Sequence, residues 1–286
     1  MIDLGVQRLA LGTAQWRTSY GITNRSRILE ISEIAKIIEF ADALGIHSLD
    51  TSPLYGDVQE ILKGLIPSHW IVTTKTQIKG RTDEEINKEI DNSLSTIQEV
   101  SSIGVLVHDW DTLSEQEKAN SERIFQYWLR NFSISCAGFS TYDPRDLETY
   151  ADMVNSERVY QTPTNIIDQR FQSGFIDKNS NLRNIWVRSI FLQGILLDCE
   201  PKNESIRHPA LDRFNYFAQE LKLTRLQCSM NFAKFNTYGS KVIVGITQKS
   251  ELEAIVDCWN QEKAPIDFSS LASTDQKLID PRCWNV

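Results

Sequence analysis

Three short segments of this 286-residue chain end in side chains that can move or hold a proton. LDTSPLYG (49–56) carries Asp50 and Tyr55, IVTTK (71–75) ends in Lys75, and VLVHD (105–109) contains His108. Each begins as a short apolar, β-branched run, the signature of a buried strand, so each delivers its polar group at a strand's carboxyl end. Alone, each residue has an ordinary explanation: a helix cap, a rim aromatic, a solvated strand end, a core histidine. Together they suit proton donation. A phenol, with a reference pKa near ~10, is a poor acid at neutral pH unless an ammonium within ~4–6 Å stabilises its anion. Lys75 can supply that charge. Asp50 would keep Lys75 charged and aimed, since either alone at a buried strand end is an uncompensated charge. His108 could hydrogen-bond a carbonyl oxygen and align it with Tyr55.

These residues need a scaffold that brings three strand ends to one face. Eight strand candidates run through the chain: Arg8–Gly12, His47–Thr51, Trp70–Lys75, Gly104–His108, Ile134–Phe139, Arg158–Gln161, Ile185–Ile190 and Lys241–Gly245. Amphipathic stretches lie between them. Ile31–Leu44 places Ile34, Ile37, Ile38 and Ala41 on one helical face. Thr82–Val100 and Ser114–Phe132 open with the capping boxes TDEE and SEQE, and Thr247 could cap a helix running to Trp259. Strands alternating with helices imply parallel pairing with right-handed crossovers, and eight units close into a (β/α)8 TIM barrel, expected as a single domain over 1–286. An open doubly wound sheet would leave two strands over, and no GxGxxG follows the first strand. The stretch Asp198–Tyr238 exceeds one crossover. Pro201–Pro209 reads as a loop and Ala210–Phe235 as one or two helices, placed where they could cover a bound cofactor.

Composition bounds the partners. Hydrophobic residues make up 41% and charged residues 24%, as in a globular protein, and the net charge of −8 disfavours nucleic acid and anionic lipid. No apolar run approaches a membrane span and the first residues lack a signal-peptide pattern. Five scattered cysteines without CxxC spacing fit reduced thiols, so a cytoplasmic location is expected. With four histidines and no HxH or HExxH, a metal-dependent hydrolase lacks its ligands, and no metal is expected.

The chain resembles the aldo-keto reductases over nearly its whole length. The likeness runs through LALGTAQW (9–16), GIHSLDTSPLYG (45–56), TTK (73–75) and VHD (107–109). It continues in GFST (138–141), QTPTNIIDQR (161–170), RSIFLQGIL (188–196) and VIVGIT (242–247). The resemblance implies that Asp50, Tyr55, Lys75 and His108 are the catalytic four, with Tyr55 as acid and base, and that a nicotinamide cofactor lies extended across the barrel mouth. It further implies cofactor contacts from Thr13, Ser140, Thr141, Gln161, Arg188, Ser189, Gly194, Gly245, Thr247 and Lys249. Ser140 and Gln161 would hold the carboxamide, Gly194 would pass the pyrophosphate, and Gly245–Thr247 would open the adenosine end, where a helix N-terminus attracts phosphate. Three positions depart from the family's pattern. Thr141 replaces a usual asparagine. Arg188 stands where an aromatic ring usually stacks on the nicotinamide, with a charge that opposes its oxidised form. No arginine follows between Gly245 and Trp259, which leaves Lys249, opposed by Glu251, for the 2′-phosphate of NADP. NADP is expected, with NAD as a possible substitute.

Candidate pocket walls are Trp16, Tyr20 and Trp110, with Tyr142 and Phe171, and Gln15, Arg170 and Arg188 as polar contacts. Such walls suit a small carbonyl compound, sugar-like by preference, reduced to its alcohol. Two alternatives keep the cofactor. One is an epimerase or dehydratase in which hydride leaves and returns; the other is a non-catalytic nicotinamide-sensing subunit, against which the intact catalytic set argues. The sequence carries no signal of oligomeric state.

Overall fold

The computed structural model describes residues 5–24, 28–97, 99–150, 157–171, 184–197, 207–261 and 264–284. Eight parallel strands form a closed barrel in sequence order: β1 (Leu9–Gly12), β2 (Ser48–Asp50), β3 (Ile71–Thr76), β4 (Ser102–Val107), β5 (Cys136–Ser140), β6 (Arg158–Pro163), β7 (Ile185–Arg188) and β8 (Lys241–Gly245). All eight expected strands are present, with ends shifted by no more than two residues. The barrel closes where β1 pairs with β8, from Leu9↔Val242 to Gly12↔Gly245.

The register levels the site. Gly12 pairs with Gly245 on one side and Asp50 on the other, and Asp50 pairs with Thr73. These four form one rung at the carboxyl end of the wall, the face on which barrels of this kind build active sites.

The main helices are α1 (Ile31–Ala43), α2 (Val58–Leu62), α3 (Asp83–Thr96), α4 (Glu115–Asn131) and α5 (Pro144–Tyr150). After β7 come α6 (Pro209–Glu220), α7 (Arg225–Phe235), α8 (Lys249–Asn260) and α9 (Gln276–Ile279). Helix α1 buries Ile34, Ile37, Ile38 and Ala41, the four residues that the 3.6-residue period places on one face. Thr82 with Glu85 and Ser114 with Glu117 form the expected capping boxes of α3 and α4. Helix α8 differs. Its cap is Gln248 rather than Thr247, because the Glu251 carboxylate reaches back to the Gln248 amide while the Gln248 side chain holds that of Glu251.

Ala10, Leu106, Val159, Trp186 and Ile243 form a cluster of their own, one from each of β1, β4, β6, β7 and β8. The largest cluster packs the strands' other faces against the helices. A third joins α6 and α7 to Leu192, Ile195 and Leu196, so the excursion after β7 is two helices with a core of their own. Residues 201–206 of the expected loop lie outside the described residues.

Candidate active site

Asp50 and Lys75, at the carboxyl ends of β2 and β3, form a nearly dry ion pair: the Lys75 Nζ donates to both carboxylate oxygens at 2.7 Å, and the side chains of Asp50 and Lys75 are 7% and 2% exposed. Lys75 also donates to the Thr51 carbonyl at 3.1 Å. The Asp50 Oδ1 accepts further bonds from the Thr73 hydroxyl at 2.7 Å and the Gln161 amide at 2.5 Å. A buried carboxylate that takes four hydrogen bonds from three donors is compensated and held in one orientation.

Tyr55 reaches over this pair from the loop after β2, with the Lys75 Nζ 5.2 Å from its ring centroid. His108, just beyond β4, stands edge-on to it, centroids 6.4 Å apart. The structure thus brings the four expected residues together. Their electrostatics differ from expectation in one respect. Burial, and then the charge of Asp50, push the Tyr55 phenol above its ordinary pKa, and Arg188 is the cation that pulls it down. Lys75 sits at the anticipated distance, but its charge is spent on Asp50, and an ion pair projects a dipole rather than a full charge. Burial draws the Lys75 ammonium down, with Asp50 opposing. His108 is pulled to about 4, first by burial and then by Lys75 and Arg188, so at neutral pH its imidazole is uncharged. Its Nδ1 is buried with no hydrogen-bond partner among the described residues.

A cavity of about 340 Å³ opens beside these groups. Asp50, Tyr55, Tyr20 and Arg188 line it, and so do Gly12, Gln15, Ser189, Gly194, Gly245 and Thr247 and, in the first two turns of α8, Glu251, Ala254 and Ile255. Two glycines keep it open. A Cβ at Gly245 would stand 2.5 Å from the Gln15 Oε1. Gly194 has φ +92°, and a Cβ there would overlap the Thr23 hydroxyl. The same turn holds Ser189, Leu192 and Gln193 at positive φ, strain of the kind that collects at ligand-shaped backbone.

Several expected contacts are placed elsewhere. Trp16 is fully buried, its indole nitrogen on the Ile246 carbonyl, and Trp110 is stacked on Phe139 at 3.9 Å; both fill core rather than line a pocket. Thr13 is buried with its hydroxyl on the Asp50 carbonyl. Gln161 supports Asp50 and does not reach the cavity lining. Thr141 turns its hydroxyl to Asp146 and Asp111, away from the cavity. Ser140 takes a bond from the Arg188 Nε at 3.2 Å. Lys249, expected at a 2′-phosphate, instead pairs with Glu253 and lies 4.3 Å from the Phe40 ring. Arg170 is held by Asp168. Of the expected pocket aromatics, Tyr20 lines the cavity.

Arg188 is half-buried, and among the described residues no carboxylate pairs with it. Its guanidinium lies 4.1 Å from the Tyr142 ring, which Arg282 approaches at 3.9 Å. At the opposite end of the barrel the fold collects Asp42, His47 and His69, residues that no local motif connects. Asp42 takes bonds from the His69 ring and the Trp70 indole there, at 2.8 and 2.7 Å.

No curated protein matches the chain. Solved structures do. AKR11C1 from Bacillus halodurans, in its holo form, matches at 17% identity and TM-score 0.67, covering 97% of this chain and 95% of that one. The glycerol dehydrogenase AKR11B4 from Gluconobacter oxydans matches at 16% identity and TM-score 0.66, over 92% and 90%. MGS-M4, an aldo-keto reductase from a Medee basin deep-sea metagenome library, matches at 17% and TM-score 0.62, over 92% and 88%. At such identities these likenesses speak for the fold. The sequence pattern of the Aldo/keto reductase family matches residues 8–276, nearly the whole chain, and the protein therefore belongs to that family of oxidoreductases.

Proposed function

We propose that this chain is a single-domain reductase that uses a nicotinamide dinucleotide to reduce a small aldehyde or ketone to its alcohol, with Tyr55 as proton donor. The observation that carries the reading is the convergence of Tyr55, the Asp50–Lys75 pair and a neutral His108 beside one cavity. The cavity suits such a cofactor: glycines at Gly12, Gly194 and Gly245 expose backbone along it, and the His108 Nδ1 stands without a partner. The bound cofactor would supply the hydride.

The remaining chemistry belongs to the chain. A substrate carbonyl takes a hydrogen bond from the phenol, whose raised pKa keeps it protonated at neutral pH. As negative charge develops on the carbonyl oxygen the phenol proton transfers to it, leaving a phenolate that Arg188 stabilises electrostatically. The neutral imidazole of His108 offers a second polar contact to the same oxygen. Asp50, held by Thr73 and Gln161, stops the lysine from swinging away. Tyr20 and Gln15 on the cavity wall fit a hydroxylated, sugar-like substrate better than a wholly apolar one.

Arg188 favours a second reading, in which hydride leaves and returns within one cycle and the product is an epimer. A guanidinium near a bound nicotinamide would destabilise its oxidised, cationic form and so favour the first half of that cycle, abstraction of hydride from a substrate carbinol. Stopped-flow absorbance near 340 nm separates the readings, with reduced cofactor mixed with candidate sugar aldehydes and, separately, oxidised cofactor mixed with hydroxylated sugars. Stoichiometric loss of absorbance in the first mixture supports reduction; a transient rise that returns to baseline in the second supports epimerisation. No change in either mixture, in a protein that binds cofactor, would refute both.

A further inference from the structure

The end of the cavity remote from Tyr55 carries a carboxylate where a phosphate-binding site would carry cations. We infer that this protein selects the non-phosphorylated dinucleotide, NAD(H), and that Glu251 is the residue that decides it. The inference rests on the functional reading above. An extended dinucleotide whose reactive ring lies beside Tyr55 must place its adenosine half toward the other end of the cavity, at Thr247, Glu251, Ala254 and Ile255.

The expectation of NADP rests on the family resemblance and on a helix N-terminus that offers free amides and a favourable dipole. The structure uses those amides. The Glu251 Oε2 accepts from the Thr247 amide at 2.6 Å and the Gln248 amide at 3.2 Å, and the Gln248 side chain takes the Glu251 amide in return. A full negative charge already sits on the positive end of the α8 dipole, and it offsets the potential that would draw a second anion. Lys249 is turned to Glu253 and Phe40. Among the described lining residues the one cation is Arg188, beside Tyr55 at the other end.

The chemistry of the two cofactors then separates them. An ionised carboxylate only accepts hydrogen bonds, and a ribose with free 2′ and 3′ hydroxyls can donate two. A 2′-phosphate carries about −1.5 to −2 charges at pH 7, has nothing to donate, and faces like charge without a counter-ion. Glu251 therefore attracts one ribose and repels the other.

Fluorescence titration of the purified protein with NADH and with NADPH tests this. NADH should bind at least tenfold more tightly. Raising NaCl from 0.02 to 0.5 M should strengthen NADPH binding by screening the repulsion while leaving NADH nearly unchanged; a hidden basic clamp would give the opposite salt dependence. Glu251→Gln keeps an oxygen for the helix cap but removes the charge, and should close the gap at least fivefold. The wild-type salt dependence stands whether or not that variant folds. NADPH binding equal to or tighter than NADH, or weakened by salt, overturns the inference and leaves the proposed reaction intact. Binding of neither cofactor overturns both.

Discussion

If the Asp50–Lys75 pair is as dry and as compensated as its geometry shows, removing either member should cost more than removing both. The side chains are 7% and 2% exposed and joined at 2.7 Å. Deleting one partner of a buried pair costs about 3–5 kcal/mol. The cost in Asp50→Asn has a ceiling: at pH 7 the stranded ammonium can shed its proton, which for a lysine of ordinary pKa ~10.4 takes about 5 kcal/mol. With an unfolding entropy near 2.1 cal/mol/K per residue, a chain this long should lose about 5–8 °C of melting temperature in either single variant. The two variants should respond to pH with opposite signs. In Asp50→Asn the folded-state lysine pKa lies below its unfolded value, so the deficit shrinks as pH rises toward ~10. In Lys75→Met the stranded carboxyl has a raised pKa, so the deficit shrinks as pH falls toward ~4. The double variant buries no charge and should be more stable than the sum of the single losses predicts, by about 2 kcal/mol or more. Urea denaturation of all four proteins at several pH values gives the cycle. Losses that add within ~0.5 kcal/mol, with no pH dependence of either deficit, would show that the pair is not the buried unit described. Turnover should be lost in all three variants, which separates the pair's contribution to stability from its contribution to chemistry.

Other outcomes follow from neighbouring residues. Tyr55→Phe should lower kcat by about 10²–10⁴-fold with cofactor affinity within a few-fold of wild type, read by steady-state kinetics and fluorescence titration. Because His108 is held near 4 in the fold and near 6.5 when unfolded, the unfolded chain binds more protons between those values. Stability should therefore fall as pH drops from ~6.5 to ~4, by at most about 3 kcal/mol and less for a partly exposed ring, and His108→Asn should flatten that slope in pH-dependent melting curves. Gly194→Ala should cost about 1–3 kcal/mol and weaken cofactor binding, since the new Cβ meets both a disallowed φ and the Thr23 hydroxyl. Unchanged melting and titration curves would show that this turn is more adaptable than its backbone angles indicate.

Much of this was legible in the residues themselves. Period and punctuation located eight strands, because a buried parallel strand is a short β-branched run whatever its partners. That Asp50, Tyr55, Lys75 and His108 gather in one place was legible because strand ends in a barrel share a face. What escaped was decided by side-chain direction and by contacts distant in sequence. Gln161 carries an amide toward Asp50, 111 positions away, and no local pattern reports that. Trp16 and Trp110 stand at strand ends like pocket walls, yet turn into the core where their large apolar area is better spent. Lys249 and Glu251 stand two residues apart in the first turn of α8, and only the folded helix shows that one pairs with Glu253 while the other lines the cavity.

The seam between β1 and β8 sets when the site can exist during synthesis. Leu9 to Gly12 find their partners in Val242 to Gly245, and Arg8 donates to the carbonyls of Lys234, Thr237 and Gly239. A ribosome adding ~5–20 residues per second needs on the order of 10–40 s to travel from Asp50 to Gly245. Throughout that interval β1 lacks one of its two partner strands, and a strand edge without its partner presents unpaired backbone to any passing strand. The half that holds the Asp50–Lys75 pair, Tyr55 and His108 emerges first and waits for the half that closes the barrel. A nascent chain stalled before β8 would therefore carry these four residues on an unsealed wall, which makes the seam the point at which a chaperone would have most to protect.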